Sequence, residues 1–119
     1  LVESGKVDVL AKDKYDSTLL HESNSNLQIL QYLISLNKLD VNAKNDNDET
    51  VFLKAASYGN SNVVRYLASI PEVDITVQDS DGMNALHHAV ENDDLSLATF
   101  LINMNKIPIN QTNNSNIYF

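Results

Sequence analysis

Cysteine is missing altogether, and tryptophan with it, while proline (two) and glycine (three) are scarce in these 119 residues. Without cysteine there is no disulfide framework, no thiolate zinc site and no cysteine nucleophile. Three scattered glycines build no Gly-rich phosphate loop. Cationic side chains are few as well, 8 Lys and Arg against 16 Asp and Glu, for a net charge of −8. Nucleic acid and anionic membranes demand basic patches, so neither is expected as the main partner. No apolar run approaches the roughly 18 residues that cross a bilayer, so membrane insertion is not expected. Residues 1–15 hold Glu3, Lys6, Asp8, Lys12 and Asp13 and so form no continuous hydrophobic leader. The missing cysteines and the missing leader fit an intracellular setting, cytoplasmic or nuclear. The chain opens on Leu1, which suggests a piece of a longer protein.

What is present is repetition. Thr18-Leu-Leu-His21, Thr50-Val-Phe-Leu-Lys-Ala-Ala56 and Asn84-Ala-Leu-His-His-Ala89 say nearly the same thing, spaced 50 − 18 = 32 and 84 − 50 = 34 residues apart. Each follows a short extended stretch with turn-forming residues and precedes a second apolar segment. Val63, Val64, Tyr66 and Leu67 illustrate the second segment, a wide stripe on a helix of 3.6 residues per turn. Alternation never lasts long enough for a half-buried strand. The stretches at Val7–Val9, Leu39–Val41 and Val73–Ile75 are therefore read as arms of β-turn fingers. Asp46, Asn47, Asp48, Ser80, Asp81 and Gly82 form the turns.

A period near 33 with a Thr-Pro-Leu-His-x-Ala-like core resembles the ankyrin repeat family. The resemblance implies an all-α solenoid of stacked helix-turn-helix units with β-turn fingers. Full repeats are expected over 8–39, 40–73 and 74–107. Residues 1–7 resemble the close of a preceding repeat, and 108–119 the start of a further one. The chain departs from the family pattern in places. Proline is absent from the second motif position, where Leu19, Val51 and Ala85 stand, and Leu53 replaces histidine in the second repeat. The inter-helix glycine survives only as Gly59, with Asp93 in its place in the third repeat and two residues lost in the first.

Catalytic and metal-binding readings find little support. Three histidines without metal-ligand spacing make no site. By the resemblance His21 and His87 are structural, while His88 is expected nearer the surface. Neither run completes a calcium loop: no Gly follows at the sixth place after Asp46-Asn47-Asp48-Glu49, and for Asp79-Ser80-Asp81-Gly82 the downstream Glu91 lies at the thirteenth position rather than the twelfth. A Ser-His-Asp triad lacks any nucleophile elbow. Neither an enzyme nor a cofactor is expected.

Family members commonly bind proteins on finger tips and inner helices. Carried over residue by residue, this implies Lys14, Tyr15 and Ser17 in the first finger, and Asp46, Asn47 and Glu49 in the second. The third finger gives Ser80, Asp81 and Met83. The inner helices contribute Ser57, Tyr58, Glu91 and Asn92. Aromatic anchors among carboxylates favour a protein or peptide with Lys or Arg beside an apolar residue. The array is expected to be monomeric. The alternative role is a structural or regulatory segment packed against other domains of a larger signalling or trafficking protein.

Overall fold

A computed structural model of the protein describes residues 9–108, and these carry six helices and no strand. The helices pair as α1 (Leu19–Glu22) with α2 (Leu27–Ser35), α3 (Val51–Ser57) with α4 (Ser61–Ala68), and α5 (Ala85–Glu91) with α6 (Leu95–Asn103). α1, α3 and α5 are the inner helices, each following a finger, and α1 packs on α3 and α3 on α5. The partial units expected at 1–7 and 108–119 lie, Pro108 apart, outside the described residues.

Each inner helix starts where its motif residue satisfies the first free backbone N–H groups. Thr18 accepts from Leu20 N–H, Thr50 from Leu53 N–H, and Asn84 from His87 N–H. In the first and third repeats the histidine closes the cap from the other side. Thr18 N–H donates to His21 Nδ1 at 3.0 Å and Asn84 N–H to His87 Nδ1 at 3.1 Å. With Nδ1 accepting, Nε2 of His21 carries the proton and donates to the Glu49 carbonyl at 2.7 Å, tying the first repeat to the second finger. Both histidines are buried, as the structural reading requires. Leu53 gives up this cap and fills the same place with apolar volume, fully buried.

Helix ends explain the tolerance for lost glycines. Gly59, at φ 74°, sits just past α3, where Asn60 N–H bonds Ala55 O and Gly59 N–H bonds Ala56 O. Asp93 repeats this arrangement at φ 56°, with Asp94 N–H to Ala89 O and Asp93 N–H to Val90 O. The shortened first repeat abandons it. α1 has four residues against seven in α3 and α5, and no residue between Ser23 and Asn26 takes positive φ. Instead Asn24 Nδ2 donates to His21 O at 2.7 Å, and Asn26 N–H closes a turn on Ser23 O.

The core runs continuously through the stack. Leu20, Leu30, Phe52, Leu53, Val64, Leu67, Leu86, Leu97 and Leu101 are all essentially inaccessible. Burying each stabilises the fold by about 1.5–3 kcal/mol. Polar side chains stitch one repeat to the next. Asn60 Nδ2 donates to Asn24 O (3.0 Å) and Asn24 Oδ1 (2.9 Å), forgoing the cap of its own helix. Asn92 Nδ2 donates to Ala56 O at 3.1 Å. Arg65, the only arginine in the sequence, donates to Ser96 Oγ at 2.8 Å and lies 4.8 Å from the Phe100 ring centre.

Candidate partner-binding surface

The fingers are three copies of one device. An Asp or Asn carboxyl or amide oxygen accepts two backbone N–H groups ahead of it and folds the chain back. Asp13 Oδ1 accepts from Tyr15 and Ser17, Asn45 Oδ1 from Asn47 and Glu49, and Asp79 Oδ1 from Asp81 and Met83. Each loop turns through a left-handed residue: Asp16 at φ 61°, Asp48 at φ 58° and Gly82 at φ 77°. Backbone bonds join the fingers edge to edge, Asp46 N–H to Tyr15 O and Ser80 N–H to Asn47 O, both at 2.9 Å. Tyr15, Asn47 and Asp81 therefore occupy the same place on successive fingers. Asp13 is held below the ordinary carboxylate range, chiefly by the Ser17 N–H and next by that of Tyr15.

Among the described residues the finger arms at Leu39–Val41 and Val73–Ile75 form turns and no strand, and Val7 and Asp8 of the first arm lie outside the described residues. Asp74 Oδ1 accepts from Thr76 Oγ1 (2.7 Å) and Thr76 N–H (2.9 Å). The hydroxyl is the larger cause of a lowered Asp74 pKa, followed by the N–H. Between repeats, Asn42 donates to Glu72 O and accepts from Asp74 N–H.

Most of the expected binding residues lie on the open side of this ribbon. Tyr15 (59% exposed) and Tyr58 (67%) present most of their surface to water. Lys14 Nζ stands 5.2 Å from the Tyr15 ring centre, so the first finger offers a cation and an aromatic face together. Asp46, Asn47, Ser80, Asp81, Glu91 and Asn92 are exposed, and Ser57 is half-buried. Three positions differ from expectation. Met83 is buried, its N–H and carbonyl both closing the third finger on Asp79. Ser17 is buried as well, bonded to Asp13 through its N–H and carbonyl. Glu49 is half-buried, its carboxylate accepting from Asn45 Nδ2 at 3.0 Å.

His88, expected nearer the surface, is also buried. Its Nε2 lies 3.1 Å from Asp79 Oδ2, and its Nδ1 is 3.9 Å from the exposed Glu91 carboxylate. The 32- and 34-residue shifts that align the motifs also align His88 with Lys54 and Glu22, and Asp79 with Asn45 and Asp13. That register was the available signal that this inner-helix position faces the finger base. Among the described residues no group of three or more His, Asp and Glu side chains could hold a metal ion, and no helix is long and apolar enough to cross a membrane.

Charge is unevenly spread along the array. The repeats at 8–39, 40–73 and 74–107 carry formal charges of −1, −2 and −5. Between Tyr66 and Asn105 there is no Lys or Arg at all.

The family profile of ankyrin repeats matches residues 19–113 as three copies. With the helix pairs and fingers described above, the chain belongs to the ankyrin repeat family. Members of this family are generally protein–protein interaction modules and are typically non-catalytic. Comparison with curated proteins gives no significant match.

Proposed function

We propose that this protein is a non-catalytic binding module that takes a protein or peptide partner on its finger and inner-helix face. The observation that carries the reading is the exposure of Tyr15 and Tyr58, together with exposed carboxylates, on a face whose fingers are fixed by repeated Asx turns. Exposed tyrosines on a preorganised surface lose little entropy on binding and bring large contact area. Asp46, Asp81 and Glu91 select a partner with Lys or Arg next to an apolar residue, and set its association rate more than its affinity. The contact set is Lys14, Tyr15, Asp46, Asn47, Tyr58, Ser80, Asp81 and Glu91, with Glu49 at its inner edge.

The test is capture from a peptide array varying Lys/Arg and aliphatic content, followed by two variants. Tyr58→Ala and Asp81→Lys are expected to weaken capture by about tenfold or more, about 1.4 kcal/mol each, with thermal unfolding nearly unchanged. Wild-type binding by both variants removes this face from the function.

A further inference from the structure

The face that carries Tyr15 and Tyr58 is not electrically uniform, because its carboxylates are compensated by lysine at one end and not at the other. From each finger to the turn after its inner helix, residues 12–26 hold two Lys against three Asp or Glu, and residues 44–60 hold the same. Residues 78–94, the matching stretch of the third repeat, hold five Asp or Glu and neither Lys nor Arg. At the first finger Lys12 Nζ pairs with Asp16 at 3.5 Å. Asp13 is held ionised chiefly by the Ser17 N–H and then by that of Tyr15, and the Lys54 ammonium of the second repeat adds to this. At the third, Asp81, Glu91 and Asp93 are exposed. One imidazole, His88, stands 3.1 Å from Asp79 and 3.9 Å from Glu91, so this end stays anionic in either protonation state of that ring.

The two ends act on a partner separately. α1 packs on α3 and α3 on α5, so α1 and α5 lie two packing distances apart, about 16–20 Å. That exceeds the Debye length of about 8 Å at physiological salt. At the first finger the Lys14 ammonium already stands 5.2 Å from the Tyr15 ring centre and repels a second cation from it. We infer that the partner is a peptide segment of uneven charge that docks in one direction, its Lys or Arg residues over Asp81 and Glu91 and its uncharged apolar part across Tyr58 and Tyr15. An extended stretch of roughly six residues, at about 3.3 Å each, spans the two ends. This inference rests on the binding face proposed above and adds the order in which the partner's charges lie on it.

Paramagnetic labelling reads that order directly. The probe is a synthetic peptide with Lys confined to one half and Leu and Ser to the other, carrying a nitroxide at either end, together with the peptide of reversed sequence. In isotope-labelled protein the label at the cationic end is expected to broaden the Ser80, Asp81 and Asn92 amides, and the label at the apolar end those of Lys14 and Tyr15. The reversed peptide is expected to keep this pattern, because charge and not chain direction sets it. Charge neutralisation gives a second reading. Glu91→Gln is expected to slow association of the peptide by about twofold or more at low salt. Asp16→Asn removes the same charge from the first finger and is expected to leave the rate nearly unchanged. Equal broadening of both ends by the cationic label, or equal slowing by the two substitutions, overturns the inference and leaves the binding face in place. Broadening of amides elsewhere, or of none, removes the face itself and the inference with it.

Discussion

Single residues carry more of this fold's regularity than their types suggest. Asp93 stands where Gly59 stands one repeat earlier, in the same left-handed conformation. Three effects act against it there. A Cβ is strained at positive φ, a carboxylate is disfavoured at a helix C-terminus, and Glu91 and Asp94 add like charge beside it. The greater unfolded-state freedom of glycine opposes part of that gain. Asp93→Gly is therefore expected to raise stability by about 1 kcal/mol, read as a higher urea midpoint at unchanged slope. Asp93→Asn separates the causes, since it removes the charge and keeps the backbone strain. If Asn recovers the whole gain, strain plays no part.

Among elements, the finger shows how differing residues reach one geometry. Asp13, Asn45 and Asp79 each offer one side-chain oxygen to two N–H groups, and Asn45 does so without charge. Asp13→Asn should therefore keep the first finger. What changes is the acid response. The folded-state pKa of Asp13 lies below its unfolded value because the Ser17 and Tyr15 N–H groups favour the ionised form. Its contribution is present above the ordinary carboxylate range and is lost as pH falls through the lowered folded value. Between about pH 6 and about pH 3, wild-type protein should lose more stability than Asp13→Asn does, measured as the drop in urea midpoint. Equal drops would mean that the finger's hydrogen bonds do not hold Asp13 ionised. Asp74, lowered first by the Thr76 hydroxyl and then by its N–H, titrates in the same direction and remains in both proteins.

On the scale of the whole molecule the stack behaves as neighbours supporting neighbours. Phe52, fully buried in the middle repeat, lies within the one continuous core that links the three units. Phe52→Ala is expected to cost about 3–5 kcal/mol. In an array of three repeats such a loss at the centre removes support from both sides. The expected result is a single unfolding transition lowered by tens of degrees, roughly 4–8 °C per kcal/mol. A split transition, with the outer repeats melting separately near the wild-type temperature, would show that the central unit does not couple them. The charge gradient belongs to this scale too, because no single repeat reveals it.

The sequence alone determined the period, the helix starts and the family, because capping and apolar spacing are local chemistry repeated at a fixed interval. Thr18, Thr50 and Asn84 cap the helices they were expected to open, and Gly59 ends its helix in the left-handed form. At the finger tips Asn47 and Asp81 were legible from turn-forming residue types, while Tyr15 followed only from the family resemblance. Only the tertiary structure decided which flanking side chains face water. Ser17, Glu49 and Met83 hold one place on successive fingers with the same backbone bonds, yet the small Ser17 and apolar Met83 are buried while charged Glu49 stays half-exposed, an outcome set by the surroundings of each finger. His88 turned inward because Asp79, nine residues earlier, waits beneath the finger to receive it. By residue type alone Val90, Leu95 and Ile102 do not differ from buried neighbours such as Leu86, Leu97 and Leu101. Their exposure follows from their place on the last described helix pair, a property of position in the stack that their own chemistry does not encode.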